Sequence, residues 1–184
     1  MRALIRRTSM FAAVTASLVG LIGYYALVTH LAFAAEARRL LAVHFTTVPA
    51  SPGEALAIWL HNSRLVLGVA ICLFVSGLAR TVTAARRIGS TRIPFCMSDA
   101  LMVIWAVGVA FTAGVLMGAY GATQARVFWP YAPVEVTGWA MLLALYTNAR
   151  LGRHGWRQTV RGLVSVEALL AVAAILEASG GRWL

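Results

Sequence analysis

Long apolar runs, separated by shorter polar segments, set the pattern of the chain. These runs cover residues 10–35, 55–79, 99–122, 128–148 and 162–179. A helix rises about 1.5 Å per residue, so roughly 20 apolar residues cross a hydrocarbon layer about 30 Å thick. The pattern therefore predicts an all-α integral membrane bundle of about five transmembrane helices, forming a single membrane domain over residues 1–184.

The first apolar run follows Arg2, Arg6 and Arg7, so a cleaved signal peptide is the alternative to a membrane helix. Residues 32–34, Ala-Phe-Ala, resemble a cleavage site after such a positive segment. The run is long for the apolar region of a signal peptide, which favours a retained transmembrane helix.

The composition agrees with a membrane protein. Hydrophobic residues make up 60% of the 184 residues, charged residues only 12%, and the mean hydropathy is +0.78. An average soluble domain has roughly a quarter of its residues charged. The net charge of +10 would ordinarily suggest nucleic acid as a partner. Here the basic residues flank apolar runs instead of forming a face, so the lipid bilayer is the expected partner and nucleic acid is not.

The arginines are distributed unevenly between the two predicted sides. Eleven lie in residues 2–7, 80–92 and 150–161, which share one side if the helices alternate in direction. Four lie on the other side, at positions 38, 39, 126 and 182, while Arg64 lies within a span. Because positive residues are retained on the cytoplasmic side, the count predicts an N-in, C-out topology in a bacterial inner membrane. Trp59, Trp129, Tyr131 and Trp183 then fall near the outer interface.

Residues 127–139, VFWPYAPVEVTGW, combine two prolines with a carboxylate at the entrance of an apolar run. Proline suits the first turn of a helix because it lacks a backbone donor. Pro130 and Pro133 therefore predict a helix start, with Glu135 in the first turn, where the helix dipole favours an anion. An ionisable side chain beside the apolar layer is a functional hypothesis by default.

Depth counted along the predicted helices places five polar residues in one layer of the outer half. They come from the second, fourth and fifth spans: His61, Asn62, Arg64, Glu135 and Glu177. An unpaired cation at that depth costs several kcal/mol, so Arg64 is expected to face the bundle interior and pair with a carboxylate, preferentially Glu177. His61 shares a helical face with Arg64, whereas Asn62 points elsewhere.

The polar layer has three interpretations. Polar side chains that fix the arrangement of the helices are the principal one. A proton or ion path and a contact site for a substrate peptide are the alternatives. Glu167 is expected in the inner half, close to Tyr146 and Asn148.

The third span carries small residues at intervals of four: Ala110, Gly114, Gly118 and Ala122. Such a face lets another helix approach closely. It predicts helix packing within the chain, with homo- or hetero-oligomerisation as the alternative use.

No recognised constellation of catalytic or metal-binding residues occurs in the sequence. There is no Ser-His-Asp spacing, no His-Glu metal pair on one helix face and no phosphate-binding loop. Cys72 and Cys96 suggest neither a disulfide framework nor a zinc site. Catalysis by the chain alone, a cofactor and a bound metal are therefore not predicted.

Three stretches, taken in order, resemble the stage II sporulation protein M family. They are residues 58–62 (Ile-Trp-Leu-His-Asn), 130–135 (Pro-Tyr-Ala-Pro-Val-Glu) and 173–178 (Ala-Ala-Ile-Leu-Glu-Ala). The family has a His-Asn or Asn-Asn element, a proline-containing helix entrance with a glutamate, and a closing helix that ends in Glu-Ala. Tyr131 and Ala132 stand where the family entrance has a His-Gly pair.

The resemblance implies a polytopic membrane protein with no established catalytic activity. The founding member acts in septal engulfment during endospore formation, together with peptidoglycan-degrading partners. Other members look like membrane components for producing, exporting or resisting bacteriocin-type circular peptides. The leading hypothesis is therefore a scaffold that positions other membrane or envelope proteins. The alternative is a subunit of a peptide maturation, export or immunity machine, whose partners would be a transporter, a modifying enzyme or a precursor peptide; an ion pathway ranks third.

Overall fold

The computed structural model describes residues 2–41, 52–86, 92–121 and 130–179, and all regular secondary structure in them is helical. The helices are α1 (Arg2–Val28), which continues through a π-helical segment (Thr29–Phe33) into α2 (Ala34–Leu41), then α3 (Pro52–Arg86), α4 (Arg92–Tyr120), α5 (Ala132–Arg150) and α6 (Trp156–Ala178). With α1 and α2 forming one continuous run, the described residues contain five long helical runs. The predicted all-α bundle is confirmed.

Four of these runs are long and apolar enough to cross a membrane. They are Ser9–Leu40, Pro52–Gly77, Phe95–Tyr120 and Trp156–Ala178. Their outward faces carry large apolar side chains such as Phe74, Ile104 and Val164, each more than 60% exposed. Exposed apolar faces of this length suit contact with lipid, as expected of a membrane protein.

The fourth predicted span, residues 128–148, corresponds to α5, which is the helix that does not meet this criterion. It is instead the most enclosed element, with Trp139, Ala140 and Leu142 at most 4% exposed. It packs against α6, α1 and α3. Because its neighbours surround it, α5 needs little apolar surface for lipid and tolerates polar residues in its sequence.

The helices extend beyond several of the predicted boundaries. The first run continues to Leu41 instead of ending at residue 35, and α6 begins at Trp156 instead of residue 162. In the first case Glu36 and Arg39 prolong the helix with an exposed i,i+3 ion pair of 3.1 Å. An apolar run marks the part of a helix that suits lipid. The polar turns beyond it remain helical, so the helix is longer than the run.

Helices α1 and α4 approach closely at the predicted small-residue face. Ala110, Gly114 and Gly118 are all buried, and the two glycines face α1. A Cβ atom at Gly114 would lie 2.7 Å from the carbonyl oxygen of Ile22, and one at Gly118 would collide with the carbonyl oxygen of Ala26. Gly114 and Gly118 therefore leave no room for a side chain beside α1, whereas Ala122 lies outside the described residues.

A short turn makes α5 and α6 antiparallel. Gly152 adopts a positive φ of 68°, and the backbone N–H of Arg153 donates to Asn148 O at 2.8 Å. Glycine suits this left-handed position because it has no Cβ. The turn places residues 154–162 beside the last two turns of α5.

Candidate functional site

The polar residues of the predicted layer meet where α3, α5 and α6 pack together. Asn62 of α3 is only 7% exposed, and its Nδ2 donates a hydrogen bond of 3.2 Å to Oε1 of Glu135. Glu135 lies in the first turn of α5, with Pro133 before it, as the prolines predicted. Its backbone N–H donates to Tyr131 O at 2.9 Å. Both residues belong to the predicted polar layer, although the sequence predicts Arg64, and not Asn62, as the partner of a carboxylate.

Glu177 approaches the same site from the end of α6. Its carboxylate lies within electrostatic range of Glu135 and of Glu54, and Tyr131 is near both Glu135 and Glu177. Tyr131 is 8% exposed and, with Pro130, forms the turn that precedes α5. The site thus combines carboxylates from three helices around a buried tyrosine; Glu54 and Tyr131 were not among the predicted site residues.

Arg64 does not occupy the predicted interior position. Arg64 and His61 are both exposed, whereas Asn62 between them is buried. Within the described residues, Arg64 forms no ion pair with Glu135 or Glu177. The expectation that Arg64 faces the interior was wrong. Its position on the outer face lets the long side chain extend along the bundle towards the polar interface, so no buried carboxylate is required.

Glu167 forms a second interhelical contact, in a place that the depth count misassigned. Its Oε2 accepts hydrogen bonds from Trp59 Nε1 at 3.0 Å and from Ser63 Oγ at 2.8 Å. The sequence predicts it in the inner half, near Tyr146 and Asn148. The error follows from the boundary, because α6 begins six residues before residue 162 and Glu167 therefore lies about 9 Å further along the bundle.

A third polar cluster, which sequence reasoning missed, joins α4 to α5 at the opposite end of the bundle. Asp99 Oδ1 accepts from Tyr146 Oη at 2.7 Å and from Arg150 Nε at 3.1 Å, while Oδ2 accepts from Arg150 Nη2 at 3.2 Å. The Arg150 guanidinium also lies 4.0 Å from the centre of the Phe95 ring. The sequence does contain a signal for this contact. Asp99 at the start of the third predicted span and Arg150 just after the fourth fall at the same depth.

Each of these polar contacts joins two different helices, and together they connect α3, α4, α5 and α6. Among the described residues, no group of three or more His, Cys, Asp or Glu side chains is placed to hold a metal ion. The half-buried carboxylates Glu135 and Glu167 accept hydrogen bonds from neutral donors. The arrangement can fix helix positions and can present negative charge to a ligand.

The comparisons with known proteins add no relative. No family model, curated protein or solved structure matched the chain.

Proposed function

We propose that the chain is a non-enzymatic membrane subunit that positions partner proteins in a bacterial cell envelope complex, as the resemblance to the stage II sporulation protein M family suggests. The observation that carries the proposal is that polar side chains between the helices bond to one another. Asn62 with Glu135, and Trp59 and Ser63 with Glu167, hold helices together. Side chains that form hydrogen bonds between helices stabilise one arrangement of the bundle, and a scaffold requires such a fixed arrangement.

Partners would then bind on the apolar exterior. The turn between α5 and α6 spans only residues 151–155, too few to form a domain. Large exposed side chains on α3, α4 and α6 offer apolar faces to lipid or to another membrane protein.

Site-specific photocrosslinking in native cells tests the scaffold. A photoreactive amino acid would replace Phe74, Ile104 or Val164, which are exposed on α3, α4 and α6 respectively. We expect one defined protein adduct from one or two of these faces, with lipid adducts from the rest. Lipid adducts alone at all three positions, at native expression level, would contradict the scaffold. A peptidoglycan hydrolase as the adduct would support it most directly.

A second candidate, the membrane subunit of a peptide maturation, export or immunity machine, is favoured by the charge of the site. No described basic side chain forms an ion pair with Glu135, Glu167 or Glu177. Carboxylates that form no ion pair within the chain suit a cationic peptide segment. A transporter, a modifying enzyme or a precursor peptide among the crosslinked partners would favour this function over the scaffold.

Direct binding tests this second function. An arginine-rich amphipathic peptide would be titrated against the protein in phosphatidylcholine nanodiscs, with fluorescence anisotropy as the measurement. A hydrogen bond to a charged group contributes about 1.5–3 kcal/mol, so Glu177→Gln should weaken binding by roughly tenfold or more. Glu36→Gln, which removes an exposed carboxylate of α2, is the matched control. Equal affinity for both variants and the wild type would exclude the site as the peptide contact.

A further inference from the structure

A groove outside the polar layer runs between α1, α5 and α6, at the end of the bundle where α5 turns into α6. Its volume is about 530 Å³, within the range of about 300–1,000 Å³ typical of small-molecule sites. Phe11, Met141 and Leu145 form its apolar wall. The groove is open along one side, so a ligand can enter it from the surrounding bilayer.

The same groove has a basic and polar end. Arg161 lines it and is exposed, and Gln158 lines it one helical turn earlier. Both residues lie in the first two turns of α6, where the helix dipole is positive. Arg157 is exposed in the same two turns. This end therefore favours an anionic group beside an apolar channel.

A buried acceptor without a donor lies in the wall of the groove. Asn148 is 3% exposed, and its Nδ2 donates to Ala144 O at 2.9 Å. Its Oδ1 has no hydrogen-bond partner among the described residues. Leaving a buried acceptor unsatisfied costs about 1–3 kcal/mol, so a ligand that supplies a donor there gains affinity. This acceptor is the second, independent sign that the groove is a binding site.

We propose that the groove binds one anionic phospholipid whose head group carries hydroxyl donors, such as phosphatidylglycerol. An acyl chain would lie against Phe11, Met141 and Leu145, and the phosphate would face Arg161 and Gln158. A head-group hydroxyl would donate to Asn148 Oδ1. Basic pockets between transmembrane helices are a known type of site for anionic head groups. The proposal is independent of the proposed function, because it uses none of the residues of the polar layer.

Native mass spectrometry of the full chain tests the site. Equal amounts of phosphatidylglycerol and phosphatidylcholine, carrying identical acyl chains, would be added to the protein in detergent. The protein would then be released from the detergent micelle in the mass spectrometer. We expect one phosphatidylglycerol to be retained in preference to phosphatidylcholine, and Arg161→Gln to reduce that preference about fivefold, the effect of one basic residue at an anionic surface. Arg38→Gln, which removes an exposed arginine of α2 far from the groove along the chain, should leave the preference unchanged.

Two further arms distinguish the parts of the proposal. Phosphatidylethanol is anionic but has no head-group hydroxyl, so the wild type should retain it less than phosphatidylglycerol, and Asn148→Leu should retain the two equally. Glycerol phosphate at millimolar concentration should not displace the lipid, because it has no acyl chain. Equal retention of phosphatidylglycerol and phosphatidylcholine by the wild type, equal losses in Arg161→Gln and Arg38→Gln, or displacement by glycerol phosphate would each overturn the lipid site. A monodisperse gel-filtration profile for each variant shows that it has folded.

Discussion

Two polar residues of α3, Asn62 and Arg64, lie in different environments. Asn62 is buried and bonded to Glu135, whereas Arg64 is exposed. We predict that Asn62→Leu lowers the free energy of unfolding by about 1–3 kcal/mol, because Glu135 loses a hydrogen-bond donor from α3. Arg64→Leu should change it by no more than about 0.5 kcal/mol. Melting temperatures in one detergent, measured for both variants and the wild type, give the comparison.

A double-mutant cycle sharpens this first prediction. Combining Asn62→Leu with Glu135→Leu should reveal a coupling energy of about 0.6 kcal/mol, the average for an interhelical hydrogen bond in a membrane, and of no more than about 1.7 kcal/mol. Arg64→Leu combined with Glu135→Leu should be additive. A larger loss for Arg64→Leu than for Asn62→Leu would restore the interior position of Arg64 that the structure contradicts.

Glu167 allows a test with two substitutions at one residue. Its Oε2 accepts from both Trp59 and Ser63, and the amide oxygen of glutamine can still accept. We predict that Glu167→Gln retains most of the stability, whereas Glu167→Leu loses about 1–3 kcal/mol because both donors are left unsatisfied. Detergent melting curves measure the difference. Equal destabilisation by the two variants would show that the charge, and not acceptance of hydrogen bonds, matters at this position.

Sequence periodicity could place residues on the same face of α3 but could not decide which face is internal. His61 and Arg64 do share a face, and Asn62 does point elsewhere, as predicted. In a soluble helix the apolar stripe marks the interior. A membrane helix is apolar on its lipid-facing side too, so that criterion is lost. The desolvation cost of a charged group then predicts the wrong face for Arg64. Long arginine side chains evade that cost by extending along the helix surface.

At the scale of the helices, the contact between α1 and α4 offers the most closely matched pair of substitutions. Gly118 faces the carbonyl oxygen of Ala26, whereas Gly108 of the same helix has open space where a Cβ would lie. We predict that Gly118→Ala costs about 1–3 kcal/mol by overpacking. Gly108→Ala should be neutral or stabilising by up to about 1 kcal/mol, because alanine is the better helix former. Melting temperatures of the two variants check the pair.

Equal effects of the two alanine substitutions would mean that α1 and α4 do not approach at Gly118.

The sequence revealed this contact face on α4 but not its partner. Small residues at intervals of four show that another helix can approach closely. The identity of that helix depends on the complementary surface, here the backbone of α1 around Ile22 and Ala26, and no pattern in α1 marks it.

Helix α5 shows what hydropathy does and does not measure. The apolar run at residues 128–148 predicted its existence, and the prolines predicted its start close to Ala132. Its central position was not predictable from composition, because a helix enclosed by others is less apolar than a lipid-facing one. Trp139 contacts Trp105 of α4 edge to face at 5.4 Å, and Leu142 is fully enclosed. These contacts depend on the packing of the whole bundle.

At the scale of the whole molecule, contacts bring the arginine-rich segments towards one end. Phe11 of α1 lines the same groove as Arg161 of α6, and Asp99 of α4 binds Arg150 of α5. The carboxylates Glu135 and Glu177 lie together near the start of α5 and the end of α6. The helices therefore alternate in direction, as the arginine count required. The side of the membrane on which the basic end lies remains a prediction.

Thiol accessibility in intact cells determines that side. Cys96 is exposed near the start of α4, at the basic end, and Cys72 is half-buried within the apolar span of α3. In a Cys72→Ala background, we predict that a membrane-impermeant maleimide leaves Cys96 unmodified in intact cells and blocks it after permeabilisation, because the arginine bias places this end in the cytoplasm. A later gel shift with polyethylene glycol maleimide would report the free thiol.

Two single-cysteine variants complete the topology experiment. A Thr123→Cys variant, also carrying Cys72→Ala and Cys96→Ala, should be blocked in intact cells, because the segment between the third and fourth predicted spans is expected outside. A variant that retains only Cys72 should react with the impermeant reagent in neither condition, since its thiol lies in the apolar part of the bundle. Blocking of Cys96 in intact cells, with Thr123→Cys protected, would reverse the orientation. The groove beside Arg161 would then face the outer leaflet, and its phospholipid would have to come from there.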